Sequence, residues 1–188
     1  VSARAADWPQ FRGPNRDGVS PEKGLLKNWP EGGPEKRWTN GDIGYGWSSV
    51  AVIKGTVYTT GMIGRELVAT SLDANGKRRW QTPLDPITKA GGHTGSRSTP
   101  TVDGDRLYVL SDAGVVHCLS TRTGKKVWSV DVRAKYKAPL PSWSFAESVL
   151  VDGNKVICAP GGKAALVALD KKTGREIWTS GPLDGKTG

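Results

Sequence analysis

The 188-residue chain is 36% hydrophobic and 24% charged, which excludes overall disorder, and its 25 glycines and 12 prolines argue against long helices. Lysine and arginine exceed aspartate and glutamate by 27 to 18, but the basic residues recur at one point of a repeat without any nucleic-acid-binding motif, so we expect a solvated rim and no nucleic-acid partner. The longest apolar run, residues 164–169, is far shorter than the roughly 20 residues of a membrane-spanning helix, so no membrane span is predicted.

Residues 1–34 carry no repeat and are predicted to form a loop-rich segment that includes the remnant of a signal peptide. The chain begins with Val1, and Ala-Arg-Ala-Ala at residues 3–6 is typical of the small-residue end of a secretory signal. We therefore expect an exported protein, either periplasmic or secreted.

Residues 35–46 have the pattern of a single outer strand, ending near Trp38, followed by a link. The three strands that should precede such a strand are missing from this part of the chain. The same kind of strand recurs at three later positions in the chain, and there the three preceding strands are present.

A sequence motif that ends in tryptophan occurs three times, at residues 72–80, 119–128 and 169–178. In each copy a glycine lies four residues before the tryptophan, and lysine or arginine follows the glycine. The glycine permits a sharp turn, and the tryptophan can lie between neighbouring sheets with its indole N–H donating to a carbonyl. We predict a structural docking role for these residues: Trp38, Gly76, Trp80, Gly124, Trp128, Gly174 and Trp178.

Three more strands precede each of the repeated tryptophan strands, and Asp-Gly turns at residues 103–104 and 152–153 suit tight hairpins. The three tryptophans are spaced 48 and 50 residues apart. Four short antiparallel strands at such a period are the signature of an all-β propeller, whose blades cannot bury their faces alone. The predicted blades cover residues 47–84, 97–131 and 143–180, and residues 181–188 begin the next connection.

The repeat resembles that of the pyrroloquinoline-quinone (PQQ) repeat propellers, also called quinoprotein-alcohol-dehydrogenase-like. The resemblance rests on Leu-Asp-x-x-Thr-Gly-x-x-x-Trp with an upstream Ser-Thr-Pro-Thr-Val-Asp-Gly, and it covers about residues 38–180. Residues 7–18, Asp-Trp-Pro-Gln-Phe-Arg-Gly-Pro-Asn-Arg-Asp-Gly, resemble the start of exported bacterial members that carry only repeats. The resemblance implies a ring of usually about seven or eight blades. The chain is then an amino-terminal part of a longer protein, and the strand at Trp38 completes the last blade.

Quinoprotein dehydrogenases of this family hold the quinone over a tryptophan beneath a disulfide between adjacent cysteines, with Ca²⁺ bound by carboxylate and amide groups. Cys118 and Cys158 are not adjacent, and they are either buried thiols or a disulfide pair. No residue of the chain matches the family's quinone or calcium positions. We therefore predict no catalytic, cofactor-binding or metal-binding residue here, and neither PQQ nor calcium has support from the residues present.

Residues at the entrances of the inner strands are expected to face the central channel, where a ligand would bind. These candidate channel contacts are Tyr45, Trp47, His93, Arg97, Trp143 and Glu147. Glu147 occupies the repeat position of two serines, and its carboxylate either pairs with Arg97 in a structural network or contacts a ligand. His93 is either an exposed loop histidine or a ligand, whereas His117 alternates with apolar residues and is expected to pack within a strand.

The leading hypothesis is an exported, non-catalytic propeller that binds a protein or an extracellular polymer. The alternative is a PQQ- and calcium-dependent alcohol or sugar dehydrogenase whose site lies partly in blades beyond this chain. A third hypothesis is a sensor propeller joined to a downstream signalling domain.

Overall fold

The computed structural model describes residues 6–88 and 95–182, and it contains three sheets of four antiparallel strands each. The predicted all-β fold of four-stranded blades is confirmed. Blade 1 consists of β1 (Ala51–Ile53), β2 (Thr56–Ile63), β3 (Glu66–Leu72) and β4 (Arg78–Pro86). Blade 2 consists of β5 (Thr101–Asp103), β6 (Arg106–Leu110), β7 (Val115–Ser120) and β8 (Lys126–Asp131). Blade 3 consists of β9 (Leu150–Asp152), β10 (Lys155–Cys158), β11 (Val167–Asp170) and β12 (Glu176–Thr179).

One short helix, α1 (Val132–Lys135), follows β8 and is capped by the Asp131 carboxylate, which accepts a hydrogen bond from the Ala134 amide at 2.8 Å. Within the described ranges, no helix is long and apolar enough to cross a membrane.

A two-residue turn joins the inner two strands of each blade, and its first residue has a positive φ in all three. The φ angle is 49° at Lys54, 58° at Gly104 and 56° at Gly153. Glycine adopts this conformation freely, whereas lysine does so at an energetic cost. In blade 1 the second turn residue, Gly55, also has a positive φ of 76°, whereas Asp105 and Asn154 at the same position of blades 2 and 3 do not, so the turn of blade 1 is of a different type.

The apolar core lies between the blades, and β6 contributes to both of its halves because alternate side chains point to opposite faces of a strand. Leu107 and Val109 pack towards blade 1 with residues such as Leu67. Tyr108 and Leu110 pack towards blade 3 with residues such as Leu169. Each blade is thus a layer that becomes stable only against its neighbours.

Tryptophan and glycine form the same contact between neighbouring blades at three places. The indole Nε1 atoms of Trp38, Trp80 and Trp128 donate to the backbone carbonyls of Ala74 at 2.9 Å, Thr121 at 2.9 Å and Lys171 at 3.2 Å. A Cβ atom added to the facing glycine would lie 2.5 Å from the Trp38 ring at Gly76, 2.6 Å from the Trp80 ring at Gly124 and 2.8 Å from the Trp128 ring at Gly174. Any larger residue at these glycines would therefore collide with the ring.

The first and last tryptophans of this series, Trp38 and Trp178, lie at the two ends of the described blades. Residues 35–40, which include Trp38, have no assigned strand, although the Trp38 ring contacts blade 1. Trp178 in β12 is 38% exposed. Completion of a last blade by the segment at Trp38 stays a prediction.

Candidate functional site

The topology of the blades gathers their connections at two opposite ends. We call one end the loop face, formed by the connecting residues 42–50, 87–88, 95–100 and 132–149 and by the hairpins at 63–66, 110–115 and 158–167. The other end is the turn face, formed by the hairpins at 53–56, 103–106 and 152–155 and at 72–78, 120–126 and 170–176. All described candidate channel contacts lie on the loop face.

Three aromatic candidates on the loop face are more than half exposed: Tyr45 at 55%, Trp47 at 58% and Trp143 at 56%. The rings of Tyr45 and Trp47 meet edge to face, with centroids 6.4 Å apart. These large side chains present apolar area to solvent at the end of the blades where the connections differ most in length from blade to blade.

The loops that carry these aromatic residues are fixed by backbone hydrogen bonds. Tyr45 exchanges two of them with Met62 at the end of β2, at 2.9 and 2.7 Å, and the Trp47 amide donates to the Ser96 carbonyl at 2.6 Å. Next to Trp143, the amide of Phe145 donates to the Asp112 carbonyl at 3.2 Å. The aromatic side chains therefore stand on ordered backbone.

A second group of polar contacts braces the loop beside Trp143. The carboxylate of Asp112 accepts hydrogen bonds from the amide and hydroxyl of Thr88 at 2.8 and 2.7 Å, and the Thr88 hydroxyl lies 2.6 Å from that of Ser144. These bonds tie the connection after blade 1 to the connection after blade 2. The loop face is therefore continuous across two blades.

Glu147 lies at the entrance of the inner strand of blade 3 and is partly buried. Its Oε1 accepts a hydrogen bond from the Ala159 amide at 2.8 Å. Burial raises the pKa of this carboxyl, and the bond from Ala159 only partly opposes the rise. The pairing of Glu147 with Arg97 stays a prediction, and the candidate His93 lies outside the described residues.

Repeated hydroxyl groups connect the inner strands of neighbouring blades. The Ser49 amide donates to the Thr99 hydroxyl at 3.1 Å, and the Thr99 amide donates to the Ser148 hydroxyl at 2.9 Å. Position 49 in blade 1 corresponds to 99 in blade 2 and 148 in blade 3. The serines and threonines that recur in the sequence thus connect the inner strands of neighbouring blades.

Residues 7–16, which we call the N-terminal strap, run across the inner strands of all three blades. Trp8 exchanges two backbone hydrogen bonds with Val52, at 2.7 and 2.8 Å, and the Pro9 carbonyl accepts one from the Val102 amide at 2.8 Å. The Arg16 guanidinium donates to the Val151 carbonyl at 3.0 Å. Because Val52, Val102 and Val151 are equivalent positions of β1, β5 and β9, the strap covers the same edge in each blade.

A cleft of about 230 Å³ lies between the strap and the inner strands of blades 2 and 3. Its lining includes Phe11, Arg12 and Arg16 on the strap and Thr101 and Leu150 on the strands. Arg12 and Arg16 both have positive φ angles, 63° and 61°. The strap and its cleft were not predicted from the sequence, although the motif Trp-Pro-Gln-Phe-Arg-Gly at residues 8–13 lies within the strap.

A polar pair lies within the contact between blades 1 and 2. His117 is 2% exposed, and its Nε2 lies 2.7 Å from the Oδ2 of Asp85. Burial pushes the pKa of Asp85 upwards, but the hydrogen bond and charge of His117, together with Ser111 and Lys126, outweigh it and hold this pKa below its usual value. Both residues belong to strands of the core, so we interpret the pair as structural.

The two cysteines are free and buried. Burial raises the pKa of Cys118 to about 12 and also raises that of Cys158. Both thiols therefore stay protonated at neutral pH.

The described residues do not fit a quinone and calcium site. Their cysteines are not neighbours in sequence, and within residues 6–88 and 95–182 no group of three His, Cys, Asp or Glu side chains could hold a metal ion.

Comparison with known proteins points to one family. A family model described as outer membrane protein assembly factor BamB matches residues 64–186. The quinohemoprotein alcohol dehydrogenase ADH-IIG of Pseudomonas putida is 28% identical over 159 residues, covering 73% of this chain and 21% of that protein. The outer membrane protein assembly factor BamB of Kangiella koreensis is 28% identical over 137 residues, covering 70% of this chain and 31% of that protein.

The crystal structure of BamB from Moraxella catarrhalis has a TM-score of 0.54 at 22% identity, over 76% of this chain and 39% of that one. This likeness concerns the fold alone. The chain spans less than a third of the length of the two sequence relatives.

Proposed function

The chain belongs to the PQQ-like repeat β-propeller family of BamB and the quinoprotein alcohol dehydrogenases, and on that premise we propose that it is a non-catalytic binding module of the cell envelope. Its partner is a protein or an extracellular polymer that docks on the loop face. The proposal includes export, which the signal-like residues at the start of the chain favour.

The observation that carries the proposal is the group of exposed aromatic side chains on the loop face. Tyr45, Trp47 and Trp143 each expose more than half of their surface, yet the backbone that carries them is hydrogen-bonded to the blades. Aromatic residues on ordered backbone lose little entropy on binding and are enriched at interface hot spots. Such residues are suited to anchoring a partner.

A protein partner is favoured over a polymer by one relative. The Kangiella koreensis relative is named as an outer membrane protein assembly factor, a role that requires contact with other proteins. The same resemblance favours the envelope as the location.

The alternative function, a quinone-dependent dehydrogenase, is favoured by the similarity to ADH-IIG of Pseudomonas putida. In that case the quinone, when bound, would supply the redox chemistry, and other blades would supply its ligands. The described residues contribute no donor set for it, which makes this the weaker of the two proposals.

The binding proposal is tested with the full-length protein by affinity capture from an envelope extract. The double variant Trp47→Ala, Trp143→Ala is compared with the wild type and with Trp29→Ala, which removes a 71% exposed tryptophan outside the loop face. We expect specific partners to be lost with the double variant and retained with Trp29→Ala. Equal capture by all three proteins would contradict a binding role for the loop face.

A further inference from the structure

We propose that the turn face carries a second docking surface, which binds the propeller to an anionic lipid bilayer. The surface is formed by residues 72–78, 120–126 and 170–176, the outer hairpin of each blade, and we call it the basic rim. These residues hold eight of the chain's 27 lysines and arginines but only three of its 18 acidic residues. The proposal does not depend on the loop-face partner.

The carboxylates of the basic rim accept hydrogen bonds within their own turns or from the connection that follows β8. The Asp73 carboxylate accepts from the amides of Asn75 at 2.9 Å and Lys77 at 3.0 Å. Asp170 accepts from the amide and hydroxyl of Thr173 at 2.9 and 2.8 Å, which holds its pKa below the usual value. These carboxylates shape the hairpins; the charge of Lys172 makes the smallest contribution to the lowered pKa of Asp170, and neither carboxylate forms an ion pair with a rim cation among the described residues.

The remaining acid, Glu176, is held by the connection that follows β8. Its Oε2 accepts from the Tyr136 hydroxyl at 2.7 Å and pairs with Lys135 at 2.8 Å. Glu176 therefore forms no ion pair with a cation of the rim, and among the described residues the rim cation that does pair is Lys171, with Asp103 at 2.6 Å.

Five cations of the basic rim are exposed and form neither an ion pair nor a side-chain hydrogen bond with any residue that the structure describes. They are Lys77, Arg122, Lys125, Lys172 and Arg175. Each blade contributes at least one of them. Their charges are thus available to an external anion.

The contacts between tryptophan and glycine fix the spacing of these cations. The Trp80 indole of blade 1 holds the hairpin of Thr121 and Gly124, and the Trp128 indole of blade 2 holds the hairpin of Lys171 and Gly174. Neighbouring basic hairpins are therefore locked side by side, and little conformational freedom is lost when several of them bind one surface at once.

The position and composition of the rim favour a bilayer over nucleic acid. The hairpins join the two outer strands of each sheet and so lie at its outer edge. Beside them the aliphatic side chains of Val127 and Ile177, on the outer strands, are 44% and 43% exposed. Cations next to exposed aliphatic groups match anionic headgroups above an apolar interior, whereas single-stranded nucleic acid is bound in basic grooves with aromatic stacking.

The test measures binding of the full-length protein to vesicles by co-sedimentation. Vesicles of phosphatidylcholine alone are compared with vesicles in which a third of the lipid is phosphatidylglycerol, at low and at physiological salt. The rim variant is Lys77→Glu, Lys125→Glu, Lys172→Glu. The control variant, Lys23→Glu, Lys27→Glu, Lys163→Glu, changes the net charge equally with exposed lysines outside the rim. Thermal unfolding verifies that both variants are folded.

We expect the wild type to prefer anionic vesicles and the rim variant to lose about 100-fold in affinity, the effect of roughly three lysines near an anionic surface. The control variant should stay within about threefold of the wild type, because exposed charges beyond a Debye length are screened. Equal losses in both variants would overturn the proposal, since net charge alone would then explain binding. Tighter binding to single-stranded DNA than to anionic vesicles would overturn it in favour of a nucleic-acid surface.

Discussion

The indole of Trp80 packs against Gly124 of the next blade so closely that a Cβ atom on Gly124 would lie 2.6 Å from the ring. Gly124 also has a φ of 71°, so the position excludes other residues by both conformation and space. Equivalent contacts at Gly76 and Gly174 make this the repeated element that joins blade to blade.

Gly124→Ala is expected to lower the free energy of unfolding by about 2 to 3 kcal/mol, because the methyl group displaces the Trp80 ring and alanine is strained at positive φ. Gly104→Ala is the matched control in the same blade, since its φ is 58° but nothing lies within 4 Å of an added Cβ. The control should lose only about 1 kcal/mol. Urea unfolding of both variants measures the difference, and equal losses would show that the ring contact contributes nothing.

Trp8→Ala is expected to release the N-terminal strap and to reduce stability by about 2 kcal/mol, less than for a fully buried tryptophan because Trp8 is half-buried. The amides of Val52 and Val102, which donate to strap carbonyls, should exchange with deuterium much faster. Trp29→Ala serves as the control, because that side chain is largely exposed. Unchanged exchange at both valines would show that the strap does not hold the inner strands.

Asp85→Asn is expected to remove part of the acid sensitivity of folding. Because folding lowers the pKa of Asp85 from 3.8, its carboxylate stabilises the folded state above that pH, and this contribution is lost as pH falls through the folded value. The wild type should therefore lose more stability than the variant below about pH 4. Asp105→Asn, at a side chain that is 80% exposed and pairs with Arg106 at the surface, is the control for loss of a carboxylate. Parallel profiles for the wild type and Asp85→Asn would refute this assignment.

Glu147→Gln is expected to change the pH dependence of folding stability in the opposite direction to Asp85→Asn. Folding raises the pKa of this carboxyl above 4.5, so the ionised group destabilises the folded state as pH rises from that value. The glutamine variant retains an acceptor for the Ala159 amide and should be more stable than the wild type at neutral pH but not at pH 4. The exposed Glu66→Gln is the control. A loss of stability at neutral pH would indicate that the charge of Glu147 has a partner in the fold.

The repeated features of the fold could be predicted from the sequence because each is local. The turn at Gly124 and the strand at Trp128 are four residues apart, and the repeats at Gly76 and Gly174 show the same spacing. The sequence therefore contains three independent copies of one signal, and the four-stranded blades follow from it.

Features that occur once, between distant parts of the chain, could not be predicted. The strap pairs Trp8 with Val52 and Arg16 with Val151, and no periodicity connects these residues. The same holds for Asp85 and His117, which meet across two blades. For the loop face, position before an inner strand makes Tyr45, Trp47 and Trp143 candidate channel contacts, which stays a prediction, and their exposure depends on how the connecting loops fold back on the hairpins.

The central claim, that this propeller binds a partner without quinone chemistry, is tested most directly by titrating the full-length protein with PQQ and Ca²⁺. Tryptophan fluorescence reports binding, and dye-linked oxidation of a panel of alcohols and sugars reports turnover. We predict no saturable quenching and no oxidation of any substrate. Saturable quenching with turnover would contradict the claim and would place the catalytic residues in blades beyond this chain.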